Sequence, residues 1–454
     1  MVVRPPEVPI GASVCPARSA GTVLALLGAM RNGGMTTGAW ARLADRGPDA
    51  AAVQAAERDR AHLVAGGGGR VLLLSMRRLA DLVGFCLNYE FEDVVAEVTG
   101  ADRVDAGDRS ALEFSRRAYK FTRFATGSRR LAGSWAPRPS TVRLERDYEL
   151  FFPVFNHAHE LFALATVPDW RRRCRVAACF INELFSHVLP GYLLELLGEF
   201  EHVFIGVRHA VDEVARIVGR PCSYLPAAAD VLRFSPFPDP PPRAIDVCNI
   251  GRRSPVTHDA LLRLARDRRM FYYYDTVAAS GTGHKQRTFH VDDAREHRRL
   301  LASLLQRSRY FIANRSRVNE PELTMGRDEM PGRFYEGAAA GAVMLGEPPR
   351  TEEFEKQFGW PDALIRLPFD SPDVGRVLVE LDQDPQRLAR IRRDNVRNAA
   401  LRHDWVHRLR TVFETVGIPP TEAMLGRERR LQALAAALAP GAPAGADRVG
   451  EVAP

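Results

Sequence analysis

The chain has 454 residues, 46% of them apolar and 26% charged, with a formal charge of +7 and an isoelectric point near 9.3. That is a globular composition with enough chain for two or three domains of about 150 residues each. It excludes a membrane-spanning protein, because apolar runs such as Gly21–Met30, stopped by Arg31, fall far short of the roughly 18 to 20 residues a span needs.

Residues 1–65 are rich in Ala, Gly, Arg and Pro, show no sustained period and end in Gly66–Gly69, which predicts a loosely ordered extension with one helix near Thr22–Met30. Regular structure is expected from Arg70, where Val71-Leu72-Leu73-Leu74 reads as a strand covered on both faces. Then follow a helix over Tyr89–Val98, strands at Leu150–Phe155 and Val176–Ile181, and a helix over Leu184–Phe200 broken near Pro190-Gly191. A strand at Val203–Val207 and a helix over His209–Val218, closed by Gly219, complete this half.

Phe234–Arg243 carries five prolines in ten residues, too stiff for a sheet interior and placed near mid-chain, so 236–243 reads as a linker. Beyond it, strands are predicted at Ile245–Ile250, Met270–Tyr274, Tyr310–Ala313 and Ala342–Leu345. Helices are predicted over Thr257–Arg266, Ala294–Gln306, Arg333–Ala340, Val374–Leu381, Pro385–Ala400 and Trp405–Val416. Alternating strands and helices imply βαβ units and parallel sheets. The expected fold class is therefore α/β, two facing Rossmann-like halves over 66–235 and 244–418, with a C-terminal helix and flexible tail over 419–454. Two such halves make a cleft at the carboxyl ends of their strands.

The most informative segment is Gly332–Gly346. Gly332 follows Pro331 at a helix start, where unpaired backbone amides and the helix dipole favour an anion such as a diphosphate. Glu336 stands one turn further on the same face and could accept hydrogen bonds from the paired hydroxyls of a ribose. Spacing alone is equally compatible with a helix packed on a sheet and Glu336 in solvent. Of the 63 basic residues only Lys120, Lys285 and Lys356 are lysines; an anion site in this chain would be built from arginine, whose planar fork grips phosphate bidentately. The six cysteines contain no Cys-x-x-Cys pair, which fits reduced thiols and argues against a zinc site or disulfide framework. Asp382-Gln-Asp384 has the spelling of a metal site but stands before Pro385 in a helix-to-helix turn, so no metal ligand is predicted.

Arg333-Phe-Tyr-Glu-Gly-Ala-Ala-Ala-Gly-Ala resembles the Phe-Glu-Ala-x-Ala-x-Gly segment of GT-B glycosyltransferases of families 1 and 4, including the spore-maturation type. Three further pieces fall in the family's order. Tyr224–Asp230 with Phe234 and Pro236 resembles the passage ending the first domain; Ile245–Arg252 resembles the strand and Gly-Arg turn opening the second; His403–Arg408 resembles the His-x-Trp-x-x-Arg near the end. The resemblance spans about residues 70 to 418. It implies that Glu336 holds the donor ribose, that Gly332 and Arg333 form the diphosphate turn, and that Arg252 and Arg253 share the task of the family's arginine–lysine pair. It places Asp328, next to Glu329, where retaining members keep a glutamate on the donor sugar. His157 and His159 stand where the family has a His-x-His-like segment on the acceptor side, and Asn182-Glu183 where many members place a histidine near the reacting carbon, so Glu183 is the expected substitute.

The resemblance thus implies a hexosyltransferase-type enzyme using a nucleotide-diphosphate sugar as donor substrate and no cofactor or metal, with retention and with a glycan, lipid-linked or small-molecule acceptor. The absence of a secretory leader pattern in the opening residues leads to the expectation of a cytoplasmic protein. Between Arg116 and Arg146 lie nine basic residues and one acidic one, interleaved with Tyr119, Phe121, Phe124 and Trp135. A solvated basic loop and a peripheral contact with the inner face of the membrane both fit that mixture. The rival class is a non-catalytic glycosyltransferase-like binding protein or a basic binder of nucleic acid or an anionic surface; with basicity carried almost wholly by arginine, no nucleic-acid partner is expected.

Overall fold

In the computed structural model of the chain, the described residues are 60–440 apart from 108, 129–130, 133–139, 185–190, 269, 276–289, 320–323 and 325. The predicted helix at Thr22–Met30, Trp135 and residues 441–454 lie outside them. The first half runs β1 (His62–Val64), β2 (Val71–Ser75), α1 (Cys86–Thr99), β3 (Asp102–Asp105), α2 (Arg109–Thr126), β4 (Tyr148–His157), β5 (Cys174–Glu183), β6 (His202–Ile205), α3 (Val211–Val218) and β7 (Cys222–Tyr224). Its sheet has the order β1-β3-β2-β4-β5-β6-β7, parallel throughout except for β1, which pairs antiparallel with β3. Every residue of β2 is buried, as its unbroken apolar run requires of a strand with helices on both faces.

The second half runs β8 (Ile245–Asn249), α4 (Pro255–Arg268), β9 (Tyr272–Tyr274), α5 (Ala294–Gln306), β10 (Ser308–Ile312), α6 (Gly332–Ala339), β11 (Val343–Gly346), α7 (Glu352–Phe358), β12 (Ile365–Arg366), α8 (Val374–Asp382), α9 (Pro385–Arg402), α10 (Trp405–Thr415) and α11 (Glu422–Ala437). Its five strands are all parallel, in the order β12-β11-β10-β8-β9. Both halves alternate strand and helix around parallel sheets, the α/β class expected from the sequence.

Each sheet grows outward from its first parallel strand in both directions. Order reverses between β2 and β4 in the first half and between β8 and β10 in the second. At such switch points adjacent crossovers leave on opposite faces and open a crevice at the carboxyl ends of the strands. His157 ends β4, and Gly251-Arg252-Arg253 follows β8.

The sequence reading differs from the structure in a few places. The extension expected to stay loosely ordered through residue 65 supplies the edge strand β1. Of the long helix expected over Leu184–Phe200, the described part is two short turns, Gly191–Leu194 and Glu195–Glu199. Asp382 and Asp384 each hold a neighbouring element. Asp384 caps α9 through the Arg387 amide, and Asp382 accepts from Arg309 at 2.6 Å and from the Tyr310 hydroxyl.

Helices α10 and α11 return to the first half. Trp405 stacks on Phe91 of α1, centroids 4.6 Å apart, and its Nε1 donates to Glu90 at 3.1 Å. Arg427 of α11, 2% exposed, donates to Asp404 at 2.7 Å and to Asp230 at 2.6 Å. The resemblance's fourth motif is thereby explained as a clasp. His403 is buried with Nε2 2.9 Å from the Gln357 carbonyl, Asp404 caps α10 through the Val406 amide, and Arg408 donates to the carbonyls of Pro226 and Ala227. Burial and the nearby Arg408 push the His403 imidazole well below its usual pKa, so it is neutral. The outgoing chain at Ala229 and the returning chain at His403–Trp405 are hydrogen-bonded to one another, Ala229 N to His403 O at 3.0 Å and Trp405 N to Ala229 O at 3.3 Å.

Candidate active site

The turn after β8 is built around Gly251. Its φ of +77° lies in the left-handed region that favours glycine, and a Cβ there would come within 2.9 Å of Arg333 Nη2 and displace that guanidinium. Arg333, in the first turn of α6, lays its guanidinium against this turn and donates to the Ile250 carbonyl at 3.2 Å. Among the described residues no carboxylate forms an ion pair with Arg333. Burial lowers its pKa, with Glu336 opposing and Arg252 adding to the fall. Arg252 and Arg333 together place two positive charges at the switch point of the second sheet.

The predicted Arg252–Arg253 pair is divided. Arg253 is ion-paired with Asp275 beyond β9 and lies over the Tyr274 ring, while Asp275 also accepts from the Gly251 amide. Arg253 therefore fixes the turn, whereas Arg252 lies 3.4 Å from Asn319 Oδ1. Gly332 opens α6 after Pro331, and a Cβ on it would come within 2.5 Å of Leu87 Cδ2 of α1. The two halves thus touch at the helix start where the diphosphate turn is expected.

Glu336 does not stand in solvent. Its Oε1 accepts from Arg298 of α5, which also donates to Glu90 of α1 at 2.8 and 3.1 Å. Arg298 is 3% exposed, Glu90 1% and Glu336 8%. Burial works against the Arg298 charge, yet its two carboxylates hold its pKa above the usual value, while burial raises that of Glu90. This Glu90–Arg298–Glu336 bridge joins the two halves. Sequence reasoning missed it, because an arginine in an Arg- and Glu-rich helix carries no local sign of being buried.

On the first half, His157, His159 and Glu183 gather at adjacent strand ends, with His157 and Glu183 in register on β4 and β5. The His157 and His159 rings lie edge to face at 5.6 Å. Burial lowers the pKa of both; Glu183 opposes this at His157, and Arg116 of α2 adds to it at both, so both imidazoles are neutral at neutral pH. Glu183 is ion-paired at 3.0 Å with Arg317 of the second half. Behind His157, Glu160 accepts from the Asn156 amide at 2.6 Å and side chain at 2.9 Å, and burial lifts its carboxyl to about 7.

A cavity of about 700 Å³ opens between the carboxyl ends of the two sheets, lined by Arg208, His209 and Tyr224 from one half and Arg315, Asp328 and Glu329 from the other. Of the predicted site residues only Asp328 lines it. Asp328 is held at 3.1 Å by Arg315 and accepts from the Arg350 amide at 2.9 Å. Its neighbour Glu329 pairs across the cavity with His209. The two stand 120 residues apart in sequence, so no local motif could have joined them. Among the described residues no group of three or more His, Cys, Asp or Glu side chains is placed to hold a metal.

Residues 252–414 match a family model described as glycosyl transferase-like. The match covers the Gly251–Arg253 turn from its second residue, Asp328, and all of α6, so the similarity falls on the half that carries Arg252 and Arg333. No curated protein matches. Among solved structures, HepE from Anabaena, crystallised with UDP-glucose, is similar at 12% identity and a TM-score of 0.43, covering 77% of this chain and 100% of its own. A glycosyltransferase from Rickettsia africae is similar at 8% identity and a TM-score of 0.41, covering 77% and 98%. These likenesses are too distant to carry an assignment.

Proposed function

We propose that the chain transfers a sugar from a nucleotide-diphosphate sugar to an acceptor, with retention of configuration as in the retaining GT-B glycosyltransferases. The observation that supports this most is Arg333, a half-buried guanidinium with no carboxylate ion pair among the described residues, lying against a glycine turn at a sheet switch point. A diphosphate beside it would supply the counter-charge that the described carboxylates do not. In this reading Arg333, Arg252 and the first amides of α6 take the charge of the departing diphosphate, so leaving-group stabilisation is electrostatic and pre-arranged. Glu336 holds the ribose hydroxyls with the oxygen that Arg298 does not use. Asp328, oriented by Arg315, contacts the donor sugar, and the acceptor enters from the side of His157, His159 and Glu183. No cofactor beyond the donor is invoked, and the enzyme is placed in the cytoplasm.

The second reading, a non-catalytic glycosyltransferase-like binding protein, draws on the pairing of Glu183 with Arg317 and of Asp328 with Arg315, which engages both carboxylates without a substrate. A thermal-shift screen of nucleoside diphosphates tests the donor site, and at least one is expected to raise the melting temperature. Hydrolysis of the matching nucleotide-sugar without acceptor then separates the readings, since a binding protein would show none. A screen in which no nucleoside diphosphate shifts the transition overturns both.

A further inference from the structure

Helix α2 buries one face and presents another that nothing in the donor-site reading uses. Leu112, Ser115 and Tyr119 point inward, with Tyr119 edge to face against Phe162. Phe114, Phe121 and Phe124 point outward, 60%, 76% and 74% exposed, although sequestering such rings from water is the main gain of folding. At 3.6 residues per turn, 114, 117, 121 and 124 form one stripe. Arg117 lies within it and Lys120 beside it. Arg109, Arg116, Arg117, Lys120 and Arg123 face a single acid in the helix, Glu113, whose contact with Arg117 at 3.5 Å leaves both side chains more than half exposed. Among the described residues no helix is long and apolar enough to cross a membrane.

We propose that this face of α2 docks the protein on an anionic lipid bilayer, with the phenylalanines entering the headgroup boundary and Arg117 and Lys120 on lipid phosphates. An amphipathic helix with aromatic rings on one side and cations around them lies in the interface plane, and it needs both terms because neither alone anchors stably. Charge decides between occupants. A second copy pairing through the same face would set Arg117 and Lys120 against their own equivalents, whereas an anionic surface complements them. The helix also lies beside the acceptor-side cluster, because Arg116 bears electrostatically on His157 and His159. Docking through α2 would bring the membrane to the mouth of the first half's crevice, where a lipid-linked acceptor could enter without leaving the bilayer.

The test is co-sedimentation of the full chain with vesicles of phosphatidylglycerol and phosphatidylcholine in equal parts, and with vesicles of phosphatidylcholine alone. Binding is expected to the first and not to the second, weakening as salt rises. Phe121→Ser should reduce partitioning at least tenfold, and Arg117→Glu with Lys120→Glu should abolish it. Phe271→Ser, at a 52% exposed aromatic outside this helix, should leave binding unchanged. All these side chains are exposed, so the variants should keep the wild-type melting temperature. No binding to anionic vesicles would overturn the proposal, as would equal loss with Phe271→Ser. Concentration-dependent dimerisation that Phe121→Ser removes, or capture of a single-stranded oligonucleotide in place of vesicles, would assign the face to a different partner and overturn it too. No nucleotide enters this assay, so its failure leaves the donor-site reading standing.

Discussion

At the scale of single residues, geometry decides more than charge. Arg333 and Arg253 are both arginines at the second switch point, yet Arg253 is neutralised by Asp275 while Arg333 is not. Arg333→Lys should therefore weaken nucleoside-diphosphate binding about 10- to 100-fold, the loss of a forked charge-assisted contact worth about 1.5 to 3 kcal/mol. Arg253→Lys, which keeps a cation for Asp275, should cost less than Arg333→Lys; titration calorimetry on the two variants checks the order. Glu160 and Glu92 offer a separate test. Burial raises each carboxyl from 4.5 to about 7, so the folded chain binds more protons than the unfolded one between those values. Stability should then fall as pH rises through that window, by about 1.4 kcal/mol per pH unit for each group, and level off above 7. Glu160→Gln removes one of the two contributions. Urea unfolding at pH 5 and pH 8 should show a smaller difference for this variant than for wild type, and an equal difference would mean that Glu160 ionises normally.

At the scale of elements, the sequence shows where strands and helices alternate because burial on both faces leaves continuous apolar runs, as at Val71–Leu74. It also shows the α6 segment, since the Pro-Gly start and the small residues after it are local. It does not show β1, whose three exposed residues have no pattern, nor α2, whose outward phenylalanines break the usual apolar-in rule. Gly332, Arg333 and Arg252 could be singled out from the sequence because they stand near a glycine or a helix start. What surrounds them could not. Glu90, Arg298 and Glu336 come from three helices, and only packing brings them together. Their bridge holds two carboxylates on one cation, which makes its members unequal. Glu336→Gln leaves Glu90 and Arg298 paired and should cost about 1 kcal/mol, whereas Arg298→Met strands two buried acids and should cost about 3 to 5 kcal/mol. Denaturant midpoints of the two variants measure the difference, and Glu336→Ala should in addition weaken donor binding about 10- to 100-fold.

At the scale of the whole molecule, the two halves share one interior. A single buried cluster runs from α1 and its sheet face through α5 and α6 to α10 and α11, with Trp405 on Phe91 near its middle. Trp405→Ala should cost about 3 to 5 kcal/mol and lower the thermal transition of both halves together, so fluorescence and circular dichroism should report coincident melting; separate transitions would show the interior to be divided. The hydrogen-bonded meeting of Ala229 with His403–Trp405 has a mechanical consequence. A chain that crosses once between two bodies acts as a swivel, free to bend and to twist. Two crossings bonded side by side act as a door hinge, which leaves one axis of rotation. Any widening of the cavity must then turn about that line, and spin labels should report it as a gradient. Labels at Asp212 and Arg350, across the mouth, should change separation when a nucleoside diphosphate binds, while labels at Ser235 and Arg402, beside the hinge, should keep theirs.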